Sequence, residues 1–298
     1  MVDVVIVGGG PAGLSAALML GRCRRRVLLF DHGRYRNARA RHLNGYLTRD
    51  GIDPNELRRI ARAEIAQYPN VVMREAAVVA ARSIENGFEI ELSSGERIAC
   101  RKLLLATGLV DQVPAVPGVD DLLGVCAFHC PYCDGWELRD QPLVAYGKGD
   151  NGALLALELT MWSRDVTLCT DGDAPAAEMR ARLSRLGIRA FEQHVVRVSG
   201  SQDQVVLTFE DGSTLSRRAL FYSEGCRQGA PLAEQLGLGL SAKGGIEVGR
   251  LETTTVPGVY VAGDASRDAL QAIVAAGEGS TAAIAINRAL FKEDVLRS

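Results

Sequence analysis

A glycine-rich loop near the start of the chain restricts its fold more than any other feature. Residues 4–7 form a short apolar run, and the loop Gly-Gly-Gly-Pro-Ala-Gly follows directly at residues 8–13. Apolar residues then recur with helical spacing over residues 14–20, and a second apolar run at residues 27–30 is closed by Asp31. This order of strand, glycine loop, helix, strand and terminal acid is typical of a dinucleotide-binding βαβ unit.

Each part of the loop has a physical role in such a unit. Gly8 permits a tight turn, Gly10 lets the backbone approach a pyrophosphate, and Gly13 allows close packing of the helix. The free N–H groups and the positive dipole end of the helix favour the phosphates. Asp31 ends the next strand 18 residues after Gly13, where it can bind ribose hydroxyls. We therefore predict a bound dinucleotide at this loop.

A second unit of the same kind begins with a strand at residues 142–146. The loop at residues 147–152 repeats the glycine spacing, and the strand after its helix runs into Thr170-Asp171-Gly172. Asp171 would repel a 2′-phosphate, so NADH is favoured over NADPH if a nicotinamide cofactor binds here. The alternative is a domain that keeps this fold and has lost its ligand.

The length and composition suit two such α/β domains. The chain has 298 residues, of which 47% are hydrophobic and 23% charged. A net charge of -2 gives no reason to expect nucleic acid or an anionic membrane as a partner. We expect no membrane span and no cleaved leader, and the seven scattered cysteines favour a cytoplasmic location.

The pair Cys130 and Cys133 is the chemical centre of the sequence. Two thiols at this spacing can close a small disulfide and exchange electrons with a flavin or with another disulfide. Asp134 follows directly and could move a proton when a thiolate leaves. A zinc site, with Cys126 and His129 as further ligands, and an inert pair of thiols are the competing interpretations. We predict no metal.

In combination, these motifs resemble the low-molecular-weight thioredoxin reductase family of flavoproteins over essentially the whole chain. The matching segments are residues 8–13, Ala106-Thr107-Gly108, residues 130–135, residues 147–152, and Ala262-Gly263-Asp264 with Gln271-Ala272. The resemblance implies an α/β fold of two Rossmann-like three-layer domains. It also implies an FAD-binding domain from residues 1–112 and 243–298, and an inserted NAD(P)-binding-like domain, residues 113–242, that carries the dithiol.

The resemblance also gives roles to single residues. Cys133 would face the flavin, Cys130 would attack the substrate disulfide, and Asp134 would donate a proton. The other matching positions would bind FAD, from its ADP part to its flavin ring: Gly8, Gly10, Pro11, Ala12, Asp31, Asn44, Thr107, Gly108, Gly263, Asp264, Gln271 and Ala272.

Three departures from the family pattern concern the electron donor. The His-Arg-Arg run that normally reads NADPH is replaced by Thr170-Asp171-Gly172. Two acidic residues of the following helix are replaced by Leu154 and Leu155, and the Arg before the C-terminal Gln by Leu270. All three disfavour NADPH. Branches of the family accept electrons from other donors such as ferredoxin, or oxidise small dithiols with oxygen.

The leading hypothesis is therefore a cytoplasmic, homodimeric disulfide oxidoreductase. It would pass electrons between FAD, the Cys130–Cys133 pair and an external, thioredoxin-like disulfide, with a donor other than NADPH. One alternative is an FAD-dependent dithiol oxidase that acts on a small dithiol with oxygen as the acceptor. Another is a flavin redox sensor without enzymatic activity.

Overall fold

A computed structural model of the chain describes residues 1–266 and 269–296. These residues form two compact units. The first unit comprises Met1–Ala38, Gly45–Val110 and the described residues from Cys226 onward. The second comprises Arg39–Asn44 and Asp111–Gly225.

Strands and helices alternate along much of the chain. Within the described residues the strands are β1 (Val2–Val7), β2 (Val27–Asp31), β3 (Val71–Glu75), β4 (Val78–Ile84), β5 (Gly87–Leu92), β6 (Arg97–Leu105), β7 (Leu109–Asp111), β8 (Ala127–Phe128), β9 (Leu143–Tyr146), β10 (Val166–Cys169), β11 (Arg189–Phe191), β12 (Val195–Ser201), β13 (Gln204–Phe209), β14 (Thr214–Arg217), β15 (Ala219–Tyr222), β16 (Cys226–Gln228) and β17 (Val259–Val261). The helices are α1 (Pro11–Arg22), α2 (Pro54–Ile65), α3 (Val119–Leu122), α4 (Pro131–Asp134), α5 (Gly149–Leu159), α6 (Ala177–Arg185), α7 (Leu232–Gln235) and α8 (Ala272–Leu296), with a 3₁₀ turn at Arg250–Glu252.

The first unit is organised around a sheet in the order β3-β2-β1-β6-β5-β4, with β17 also paired to β6. Strands β3, β2, β1, β6 and β17 are parallel, whereas β4 and β5 are antiparallel to their neighbours. In the register, Val7 lies opposite Phe30 on one side and Leu105 on the other. The glycine loop after β1, Asp31 at the end of β2 and the turn after β6 therefore emerge at one edge of the sheet, where parallel α/β sheets bind ligands.

Helices α1 and α8 cover one face of this sheet. Their contact is made by small residues, because a Cβ on Gly279 would lie only 2.0 Å from the carbonyl oxygen of Ala12. Leu20 of α1 and Ile286 of α8 are fully buried in the same core as Ile6 of β1. The opposite face carries a second core, which includes residues of β4, β5 and α7.

The second unit has the same layered plan on a smaller scale. A parallel sheet runs in the order β11-β10-β9-β15-β8, and an antiparallel sheet runs in the order β12-β13-β14. Helix α5 packs on the parallel sheet through Ala153, Ala156 and Leu159, which are completely buried. Both units are thus Rossmann-like, and the predicted α/β fold class is confirmed.

The compact units divide the chain at 225/226, whereas the sequence places the end of the inserted domain at 242. Residues 226–242 belong to the first unit because Leu232 and Leu236 of α7 enter the core that also contains Val259 and Val261. Residues 39–44 cluster with the second unit. The binding functions of the two domains stay predictions at this point.

Three helices differ in extent from the helices that the sequence predicts at residues 54–68, 153–162 and 271–290. Helix α2 ends at Ile65 and not at residue 68, and α8 extends to Leu296 and not to residue 290. Helix α5 begins at Gly149, four residues before the expected start. Within residues 1–266 and 269–296, no helix combines the length and apolarity that a membrane span needs.

Candidate functional site

The first glycine loop leaves open space at its middle glycine. A Cβ on Gly8 would lie 2.1 Å from the Ala106 carbonyl oxygen, and one on Gly13 would lie 1.9 Å from the Gly8 oxygen. Both positions must therefore be glycine for the loop to fold. At Gly10, in contrast, no described atom lies within 4 Å of such a Cβ. The protein's own packing does not require glycine there, whereas close approach of a pyrophosphate does.

The N-terminus of α1 suits an anion. Gly10 is its N-cap and Pro11 its first residue, and among the described residues no side chain caps it. Its first turn contains no acidic residue. The first N–H groups of the helix and its dipole are thus available to phosphate oxygens. The residues present fit the pyrophosphate of a dinucleotide.

Asp31 lies at the same loop. Its carboxylate is buried, and a Cβ on Gly9 would be 2.2 Å from its Oδ2 atom. The Gly33 N–H donates to Oδ1 at 3.0 Å, the Tyr35 hydroxyl donates to Oδ2 at 2.5 Å, and Arg62 pairs with Oδ2. A carboxylate offers about four lone-pair positions. These bonds orient Asp31 and leave it capacity for a ribose hydroxyl.

The C-terminal motif lies beside α1 in the first unit. A Cβ on Gly263 (φ 80°) would be 3.0 Å from the Cβ atom of Ala12, and the Gly263 N–H donates to Glu278 at 2.8 Å. Asp264 pairs with Arg36 at 3.0 Å. The structure therefore brings the predicted residues Gly263 and Asp264 next to the start of α1.

The remaining predicted residues of this unit lie on two further segments. Thr107 and Gly108 lie two and three residues after the end of β6, and the Gly108 carbonyl accepts the Gly229 N–H at 3.0 Å. Gln271 precedes α8, which begins at Ala272.

Sequence reasoning did not identify a cleft of about 300 Å³ beyond the ends of β2 and β3. It is lined by His32, Arg34, Glu75, Ala76 and Ala77. No motif marks these residues; the available signal is that residues 32–34 directly follow Asp31. Arg36 and Arg62, which hold the two acids Asp264 and Asp31, were missed for the same reason.

In the second unit, Cys130 and Cys133 form a disulfide. Cys130 caps the single turn of α4, and its carbonyl accepts the Cys133 N–H at 3.1 Å. Both cysteines are partly exposed, and the neighbouring Tyr132 and Trp136 are each 65% exposed. Among the described residues, no group of three or more His, Cys, Asp or Glu side chains could hold a metal ion. The turn therefore carries a disulfide whose two residues are partly exposed.

Asp134 directly follows Cys133, and its carboxyl has a raised pKa. Burial, together with the negative charge of Glu137, raises the pKa of its carboxyl to about 7, and His42 opposes this shift. A carboxyl with this pKa can both release and accept a proton near neutral pH. The predicted flavin contact Asn44 donates its side-chain amide to the Cys133 carbonyl at 2.8 Å. The structure thus places Asn44 at the disulfide turn.

Comparison with known proteins identifies the class. The family model "Pyridine nucleotide-disulphide oxidoreductase" matches residues 2–279. The chain belongs to this family, whose members are FAD-dependent disulfide oxidoreductases.

Particular relatives narrow this class. Thioredoxin reductase aclD of Aspergillus oryzae is 31% identical, over 95% of both chains. A bifunctional thioredoxin reductase/thioredoxin of Mycobacterium leprae is 30% identical over 96% of this chain and 65% of its own length. The crystal structure of TrxB from Bacillus anthracis superposes with a TM-score of 0.93, at 32% identity, over 99% of this chain and all of that one. The predicted resemblance to low-molecular-weight thioredoxin reductases is confirmed.

Proposed function

We propose that this protein passes electrons between FAD, the Cys130–Cys133 disulfide and an external, thioredoxin-like disulfide. One observation carries the proposal: a partly exposed disulfide is followed directly by Asp134, whose pKa of about 7 suits proton transfer to a leaving thiolate. The name of the Mycobacterium leprae relative, in which a thioredoxin is part of the same chain, supports a thioredoxin-like partner. We further propose a cytoplasmic homodimer.

The first unit would hold FAD. Gly8, Gly10, Pro11 and Ala12 would bind the pyrophosphate through the backbone, and Asp31 would bind a ribose. The remaining contacts would come from Thr107, Gly108, Gly263, Asp264, Gln271 and Ala272. Bound FAD supplies the two-electron redox chemistry. The protein's contribution is to bind the cofactor and to exchange the electron pair through its dithiol.

Thiol exchange accounts for the disulfide turn. In the reduced pair, the Cys130 thiolate attacks one sulfur of the external disulfide and forms a mixed disulfide. The thiolate that leaves takes a proton from Asp134. The Cys133 thiolate then attacks Cys130, which restores the Cys130–Cys133 bond and releases the second substrate thiolate. Two electrons have passed to the substrate, and two thiols result after a second proton is taken up.

The electron donor is proposed to be a molecule other than NADPH. Thr170-Asp171-Gly172 offers no cation to a 2′-phosphate, and the Asp171 carboxylate already accepts the Val195 N–H at 2.9 Å and the Tyr146 hydroxyl at 2.8 Å. A reduced redox protein such as ferredoxin is one candidate donor.

The lack of a cation for a 2′-phosphate in Thr170-Asp171-Gly172 also favours a second candidate function, a dithiol oxidase, which needs no NADPH. A small dithiol would then reduce the Cys130–Cys133 disulfide, and oxygen would accept the electron pair. The reaction balances as dithiol and oxygen giving disulfide and hydrogen peroxide. Every residue of the site keeps its place in this reaction, and the electrons flow in the opposite direction.

Replacement of one cysteine tests the shared core of both candidates. Cys133→Ser should retain FAD and lose disulfide exchange, whereas Cys23→Ser, which changes a free thiol of the first unit, should keep both. Flavin absorbance reports the bound cofactor, and turnover is followed with thioredoxin disulfide and with small dithiols. Full turnover by Cys133→Ser would refute the proposal. Oxygen uptake with a small dithiol separates oxidase from reductase, and slow flavin reduction by every donor indicates a sensor.

A further inference from the structure

The second glycine loop has the same internal geometry as the first. A Cβ on Gly152 would lie 1.9 Å from the Gly147 carbonyl oxygen, as one on Gly13 would from the Gly8 oxygen. The Gly147 N–H donates to the end of β10, as the Gly8 N–H donates to the end of β2. The two loops can therefore be compared position by position.

The middle glycine is where they differ. Gly149 corresponds to Gly10, and its N–H donates to the Asp173 carbonyl oxygen at 2.9 Å. The Asp173 carboxylate would lie 3.6 Å from a Cβ on Gly149, whereas no described atom comes within 4 Å at Gly10. A dinucleotide fold keeps this glycine bare so that a pyrophosphate can approach it. In the second unit Asp173 occupies that approach.

A second hydrogen bond ties the same segment to α5. Asp150, in the first turn of the helix, accepts the Ala176 N–H at 2.8 Å. It stands at the position that Pro11 holds in α1. A carboxylate in the first turn also satisfies the positive end of the helix dipole, which a pyrophosphate would otherwise use. Residues 171–176 are thus held across the mouth of the loop.

Asp171, which corresponds to the predicted ribose ligand Asp31, and Lys148 of the loop also have partners within the protein. Both oxygens of Asp171 accept hydrogen bonds, one from Tyr146 and one from Val195. The Lys148 ammonium lies 3.8 Å from Asp171. Although burial opposes ionisation of Asp171, the bonds from Val195 and Tyr146 and the charge of Lys148 hold its pKa below the usual value. The charge of Lys148 is therefore balanced by an ionised carboxylate.

We infer that the second glycine loop is closed by its own residues 171–176 and binds neither NADH nor NADPH. Asp150, Asp171 and Asp173 add three carboxylates where a dinucleotide would bring two negative phosphates. The second unit then serves to carry the disulfide, and electrons enter from a donor that is not a nicotinamide dinucleotide. This inference deepens the proposed function and rests on it for the role of the disulfide.

Binding measured on the FAD-loaded protein tests the inference directly. Equilibrium dialysis with NADH and with NADPH should show no saturable binding up to about 1 mM. Hydrogen exchange of peptides that cover residues 146–152 and 171–176 should be slow, and 1 mM of either nucleotide should leave it unchanged. A dissociation constant below about 100 μM, with new protection in those peptides, would overturn the inference.

A variant that lacks two carboxylates tests whether Asp150 and Asp173 are what prevents nucleotide binding. Asp150→Ala with Asp173→Ala removes the hydrogen bond from Ala176 and two charges, and should bind NADH with a dissociation constant below about 1 mM, where the parent shows no saturable binding. The control, Asp165→Ala with Asp203→Ala, removes two exposed carboxylates of the same unit and should gain nothing. Equal affinities of the two variants would contradict the closing role.

The outcomes separate the inference from the proposed function. Tight NADH binding together with an inactive Cys133→Ser protein would remove the inference and leave the disulfide function standing. Absence of nucleotide binding together with full activity of Cys133→Ser would support the closed loop and refute the proposed disulfide function.

Discussion

At the scale of single residues, we expect Asp134 to determine how the rate of the proposed reaction depends on pH. Its pKa is about 7, against an ordinary value of 3.8, chiefly because burial disfavours the charged carboxylate. In the proposed exchange the protonated form donates to a leaving thiolate. Reduction of an external disulfide should therefore decline as the pH rises through about 7.

Asp134→Asn tests this role, because the amide keeps the size of the side chain and cannot transfer a proton. We expect the rate of disulfide exchange to fall by about 10²- to 10⁴-fold, and the inflection near pH 7 to disappear, with FAD content unchanged. The raised pKa also means that the folded state loses stability as the pH rises from about 4 to about 7. The variant should thus melt above the parent at pH 8 and near it at pH 4. An unchanged pH–rate profile would contradict the assignment.

At the scale of elements, the contact of α1 with α8 joins the glycine loop to the C-terminal motif. Gly279 lies against the carbonyl of Ala12, where an added methyl group would sit 2.0 Å from the oxygen. Because Ala12 lies at the start of α1, a shift of α8 at Gly279 would also move the glycine loop. The packing of α8 and the shape of the candidate flavin site are therefore coupled.

Gly279→Ala should therefore destabilise the protein by about 1–3 kcal/mol and weaken FAD retention. Gly277 is the matched control, because it lies two residues away on the same helix, is exposed, and has no described atom within 4 Å of an added Cβ. Gly277→Ala should be neutral or stabilising by about 0.5–1 kcal/mol. Chemical denaturation and the flavin-to-protein absorbance ratio give both quantities. Similar effects of the two substitutions would show that the close contact does not matter.

The elements also show what a sequence can and cannot reveal. The βαβ units and the Cys130–Cys133 turn were predictable because their signals are local: apolar periodicity, glycine spacing and paired thiols. The place of α7 was not, since Leu232 joins the first unit through packing with distant Val259. The hydrogen bond between Gly149 and Asp173 joins two backbone groups, so the residue types at these positions do not predict it.

At the scale of the whole molecule, each unit has its own buried cores. Apart from Asn44, the residues predicted to bind FAD belong to the first unit, whereas the disulfide belongs to the second. A ligand stabilises only the part of a protein that binds it, by RT ln(1 + [L]/Kd). Changes in FAD concentration and in the disulfide should therefore act on different parts of the unfolding profile.

Scanning calorimetry should resolve two transitions. Free FAD at about 100 times its Kd should stabilise the first unit by about 2.7 kcal/mol and leave the transition of the second unit in place. Reduction of Cys130–Cys133 should shift only the transition of the second unit. Cys130→Ser identifies this transition, because the variant lacks the disulfide and should show the shifted transition without a reductant. Hydrogen exchange during heating assigns each transition to its peptides. A single transition that FAD and a reductant both move would show that the two units unfold as one, because each perturbation would then act on the cores of both.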